Sequence, residues 1–119
     1  MNSQKFSILT VFFLFLMIIL SSIEGSSIPH SYIFTFDKLI HFVEYCLLGI
    51  FLIYMFSGAS KYPISAGLIA GVFYSFIDEL YQSTVFGRSS SIFDVIADVV
   101  GLIFSVFIVK FVFKSYRYD

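Results

Sequence analysis

The chain has no tryptophan, one cysteine, two prolines and little charge: 13% of its residues are Asp, Glu, Lys or Arg. Each scarcity excludes something. Without Trp, tyrosine is the only aromatic suited to a membrane–water interface. A lone Cys46 excludes an intrachain disulfide and a cysteine-based metal site, and its place mid-run reads as a small buried thiol. Soluble domains carry about 25% charged residues, so this composition argues against one. The net charge of −1 offers nothing to nucleic acid or to an acidic partner.

What is present is apolar. Hydrophobic residues make up 59% of the 119, with 17 Phe and 8 Tyr, and mean hydropathy is +0.95. The length allows one domain, here residues 1–119. Lys5 precedes an uncharged run from Phe6 to Ile23. At 1.5 Å per residue that run spans about 27 Å, close to the hydrocarbon core. A signal peptide competes for it, because Ser21, Ser22, Gly25, Ser26 and Ser27 follow, but the run exceeds the usual 7–15-residue apolar core. A loop from Glu24 to about Phe36 holds Pro29 and a solvated His30. Further spans are expected at 39–56, 63–80 and 92–113, with Pro63 opening the third where its missing N–H costs nothing. No segment has a charged outer face, which disfavours a soluble bundle. The expected fold is all-α, a four-transmembrane-helix bundle.

Basic residues in the short loops set the expected orientation. With both termini inside (N-in/C-in), Lys5, Lys61, Lys110, Lys114 and Arg117 are cytoplasmic, and only Lys38 and Arg88 lie outside. Glu24, Asp37, Glu44, Asp78, Glu79, Asp94 and Asp98 then share the outer half, and Asp119 is inside.

Helical spacing gathers these acids. Asp37, Lys38, His41, Glu44 and Tyr45 fall within an arc of about 120°. Asp78 and Gln82 are an i, i+4 pair with Glu79 beside them, on a stripe that continues through Ser75, Gly71 and Gly67. Asp94 and Asp98 repeat that spacing, followed by Gly101 and Ser105. The small residues allow close helix approach. Turned inward, the three stripes form one acidic cleft at the extracytoplasmic end. A charged side chain at bilayer depth costs about 2.5–3.5 kcal/mol on insertion scales. His41, Glu44 and Asp98, one to two turns into hydrocarbon, therefore read as functional. Lys38, Glu79 and Asp94, nearer the helix ends, read equally as interfacial or capping groups.

DKLIHFVEY at Asp37–Tyr45, DELYQ at Asp78–Gln82, and Phe86-Gly87-Arg88 followed by Asp94, Asp98 and Gly101 resemble the VanZ family of small bacterial membrane proteins. The match covers about half the chain, from the second span into the fourth. Phe86 stands where the family pattern has Pro, and Asp98 where it has Asn. The resemblance implies a multi-pass protein of the cell (inner) membrane, in a cell-envelope context linked by the family's name to glycopeptide (teicoplanin) resistance. It implies no reaction.

Three function classes follow. In the first, the protein binds membrane lipids or lipid-linked envelope precursors without catalysis. Lys38 and Arg88 take a phosphate, beside Gly87, while Asp78, Glu79, Gln82, Asp94 and Asp98 meet hydroxyls or amines. In the second, an intramembrane enzyme uses His41 as general base oriented by Glu44 or Asp37, with Asp78 a further catalytic candidate. A metal-assisted form places an ion on His41, Glu44, Asp78 and Asp94. No known catalytic motif is present, and no cofactor is expected. In the third, the acids relay protons in a transporter, for which four spans are few unless the chain forms an oligomer.

Overall fold

The computed structural model describes residues 3–22, 30–86 and 92–114. Among these there are four α-helices and no strand: α1 (Ser3–Ser21), α2 (His30–Phe56), α3 (Pro63–Gln82) and α4 (Ile92–Phe107). The last turn, Ile108–Val112, widens so that Phe113 N–H donates to the Ile108 carbonyl five residues back, at 3.0 Å. Four segments are long and apolar enough to cross a membrane: Ser3–Ser21, Asp37–Phe56, Pro63–Gln82 and Ile92–Val112. The protein is a multi-pass, all-helical membrane bundle.

In lipid every backbone and hydroxyl group must find a partner within the protein. Hydroxyls in α1 turn back on their own helix: Ser7 Oγ donates to the Ser3 carbonyl at 3.0 Å and Thr10 Oγ1 to that of Phe6 at 2.6 Å. Pro63 sits at the start of α3, as its fixed φ favours.

One boundary corrects the sequence reading. The loop expected from Glu24 to Phe36 ends early, because α2 begins at His30 rather than at residue 39. Charge at Asp37 and Lys38 coincides with the start of the apolar span, not with the start of the helix. Helix formation depends on backbone bonding, and no Gly or Pro interrupts residues 30–38. Asp37 and Lys38 lie on the inward stripe of a helix already under way.

Successive helices run antiparallel, and α2 packs against all three others. At one end Phe6, Ile53, Tyr54, Ile64 and Val109 pack together, close to Lys5, Lys61 and Lys110 in sequence. In the middle Met17, Tyr45, Leu48, Leu52 and Leu102 form the apolar core. The opposite end collects the C-termini of α1 and α3 with the N-terminal turns of α2 and α4. The acids are there.

The stripes face inward as their spacing predicts. In α3, Gly67, Gly71, Ser75, Asp78, Glu79 and Gln82 are buried, and in α4 so are Asp94, Asp98, Gly101 and Ser105. The faces between them carry exposed Ile69, Phe73, Ile103 and Phe107, which suits contact with acyl chains. A Cβ on Gly71 would lie 2.5 Å from a methyl of Leu102, whereas Phe73 is 69% exposed. Gly71→Leu is therefore expected to reduce the folded yield in detergent severalfold, and Phe73→Leu to leave it near wild type. Equal yields by size-exclusion chromatography would contradict this packing.

Candidate functional site

All four helices contribute to one polar cluster. α2 supplies Asp37, Lys38, His41 and Tyr45 within its first described turns of the span. At 1.5 Å per residue, His41 lies about 6 Å and Tyr45 about 12 Å inward of Asp37. α3 supplies Ser75, Asp78, Glu79 and Gln82, α4 supplies Asp94 and Asp98, and α1 reaches in with Ser21.

Three sets of contacts tie these groups together. At the rim, Lys38 Nζ bridges Asp37 Oδ2, at 3.3 Å, and Asp94 Oδ1. The Asp37 and Lys38 side chains remain partly exposed, while Asp94 is fully buried. One turn deeper, His41 Nδ1 donates to Asp98 Oδ1 at 2.7 Å, and Ser75 Oγ donates to Asp98 Oδ2 at 2.6 Å. The other imidazole nitrogen, Nε2, lies 3.7 Å from Asp37 Oδ1. In the third set, Ser21 Oγ donates to Asp78 Oδ1 at 2.8 Å and Tyr45 Oη to Asp78 Oδ2 at 3.2 Å. Gln82 Nε2 donates to Ser21 Oγ at 3.3 Å. The His41 and Tyr45 rings are nearly parallel, 4° apart, with centroids 6.5 Å apart.

Three oxygens stand outside this network. Both carboxylate oxygens of Glu79 and Oδ2 of Asp94 are buried with no hydrogen-bond partner among the described residues. A buried acceptor left unpaired costs about 1–3 kcal/mol, and more when charged. Among the described residues, five carboxylates (Asp37, Asp78, Glu79, Asp94 and Asp98) share the cluster with one ammonium and one imidazole. The arrangement is rich in acceptors and short of positive charge.

The candidates named from sequence divide as follows. Asp37, Lys38, His41, Tyr45, Asp78, Glu79, Gln82, Asp94 and Asp98 come together at one end of the bundle. Glu44 is half-buried and joins neither of the two imidazole–carboxylate groups close enough to share an ion. Those groups are Asp37, His41 and Asp94, and His41, Glu79 and Asp98. The set His41, Glu44, Asp78 and Asp94 named from spacing is neither of them. Asp78 is engaged by Ser21 and Tyr45 instead. Gly87 and Arg88 lie outside the described residues, as does any pairing of Arg88.

Spacing missed the part played by α1. Ser21 reads in sequence as a small residue after an apolar run, yet it joins Asp78 to Gln82. Ser22 Oγ adds a 2.6 Å contact to Tyr81 Oη. The available signal was position: two hydroxyls close α1 at the end where α3 carries Asp78. Ser75 was placed on the small-residue stripe, but its hydroxyl is a partner of Asp98.

Comparison with curated proteins gives no match, and comparison with solved structures gives none either. The VanZ/LLP1 family model matches residues 2–113, which takes in all four helices and every residue of the cluster. The chain belongs to the VanZ/LLP1 family.

Proposed function

We propose that this protein binds an envelope lipid or lipid-linked head group within the membrane, at the cluster of Lys38, His41 and the surrounding acids. The observation that carries the reading is the gradient of the cluster. A partly exposed ammonium at the rim stands over buried carboxylate oxygens that lack donors. A phosphate engages Lys38 in place of one of its carboxylate partners. The adjoining hydroxyls or amines of the head group donate to Glu79 and Asp94. Apolar tails lie along the exposed faces of α3 and α4. The cluster faces the extracytoplasmic side, in keeping with the basic residues near the other end. Occupancy of an envelope precursor is how such a protein alters teicoplanin susceptibility, the property after which the family is named.

The test is lipid retention by the full chain in detergent micelles, read by native mass spectrometry. Undecaprenyl phosphate and phosphatidylglycerol are added in turn. One of them should remain bound at about one molecule per chain, and Lys38→Met should weaken that binding about tenfold, as loss of a charge-assisted bond implies. Identical retention by wild type and Lys38→Met would refute the assignment. Preference for the isoprenoid phosphate would identify the ligand as a precursor carrier; preference for phosphatidylglycerol would identify it as a bulk lipid.

A further inference from the structure

We propose that His41, Glu79 and Asp98 form a binding site for one divalent cation of the zinc–manganese kind. Ligand atoms from the three side chains lie within 4.8 Å of one another, and all three residues are buried. Donors on a single tetrahedral ion with bonds of about 2.0–2.2 Å stand about 3.3–3.6 Å apart, so the side chains close in by up to roughly 1.5 Å when the ion binds.

Glu79 is the second and independent observation. It is only 8% exposed, and neither carboxylate oxygen has a hydrogen-bond partner among the described residues. Its neighbours do not explain it. Ser75 and His41 are directed to Asp98, Tyr45 and Ser21 to Asp78, and Lys38 to Asp37 and Asp94. A buried acid with two oxygens unpartnered among the described residues, beside an imidazole and another carboxylate, offers a cation a set of free acceptors. A divalent ion supplies the missing positive charge and accepts an oxygen from each acid.

The neighbouring group, Asp37, His41 and Asp94, is the weaker candidate although its spacing is similar. Lys38 already bridges its two carboxylates and repels a second cation. Among the described residues no ammonium reaches Glu79. One imidazole with two carboxylates suits zinc or manganese better than calcium, which prefers six to eight oxygens. Three protein ligands leave at least one position open, and Asp94 Oδ2, also unpartnered, can accept from a water on the ion. The open position also accommodates a phosphate oxygen.

The test uses the full chain in detergent, stripped with chelator and dialysed against Mn2+ or Co2+ (the latter standing in for zinc), with no lipid added. Metal content per chain is then measured. Wild type should retain about one ion, and Phe73→Leu, which alters only the lipid-facing surface, should match it. Glu79→Gln keeps shape but removes charge, and should weaken retention by at least the about 10–100-fold seen even for outer-shell losses. Magnetic resonance on the loaded wild type should show coupling of Mn2+ to an imidazole nitrogen or contact-shifted imidazole protons with Co2+. Because both groups contain His41, Asp37→Asn decides between them if Glu79→Gln does not fold: it should keep the ion. No stoichiometric ion in wild type, no imidazole signature, or undiminished retention by Glu79→Gln would each overturn the site. Retention lost in Asp37→Asn but kept in Glu79→Gln would move the ion to the other group and likewise overturn it. Because no lipid is present, failure here leaves the head-group reading to its own test.

Discussion

Asp98→Ala is expected to destabilise the bundle by about 2–4 kcal/mol. A single hydrogen bond between membrane helices contributes about 0.6 kcal/mol on average and up to about 1.7, because the unfolded chain in lipid also finds partners. Asp98 accepts two such bonds, from His41 on α2 and Ser75 on α3, and is itself fully buried. Alanine leaves the imidazole and the hydroxyl unpartnered and adds a void. Asp98→Asn, the residue that the family pattern carries here, should cost no more than about 1 kcal/mol. Its carbonyl oxygen can accept from Ser75, and its amide can donate to a neutral His41. Thermal unfolding in detergent, followed by circular dichroism, separates the two variants. Equal midpoints for Asp98→Ala and wild type would mean that Asp98 ties no helices together. An Asn variant as unstable as the Ala variant would mean that the site needs the carboxylate charge itself.

Gly101→Val should remove most of the folded protein. A Cβ at position 101 would stand 2.5 Å from the Phe42 carbonyl oxygen and 3.1 Å from the Cys46 backbone nitrogen. Both obstacles are backbone atoms of α2, so no side-chain rotation can relieve them. Overpacking usually costs about 1–3 kcal/mol when side chains can adjust. Here α4 has to move away from α2, which also draws Asp94 from Lys38 and Asp98 from His41. Gly101→Ala should already be less stable than Gly58→Ala. At Gly58 the new methyl meets only the side chain of Ser3, in the first turn of α1. Folded yield by size-exclusion chromatography is the measure. A monodisperse Gly101→Val at wild-type yield would show that α2 and α4 do not approach as described.

These two sites differ in how far sequence alone could reach them. Gly101 follows Asp94 and Asp98 at helical spacing, so its side of α4 was readable. Its contact was not, because nothing in the local pattern names the Phe42 carbonyl. Asp98 was singled out for its depth, but its partners come from two other helices, 57 and 23 residues away. Charge misled at one point. Lys38 marks the edge of the apolar span, but the helix that carries it, α2, begins at His30. The partner of Asp94 was not readable from local spacing either, since Lys38 reaches it from 56 residues away.

The sequence by itself determined the membrane-spanning class, the number of helices and the inward face of each polar stripe. These follow from local quantities: run length against bilayer thickness, and side-chain period against the 3.6-residue turn. Tertiary structure decided which groups on those faces pair. The choice depends on the axial register and rotation of each helix, set where glycines let α2, α3 and α4 close on one another. A shift of one residue in that register moves a side chain by about 1.5 Å and 100°. Only the assembled bundle therefore places Asp98 between His41 and Ser75, brings Ser21 to Asp78, and leaves both oxygens of Glu79 without a donor among the described residues.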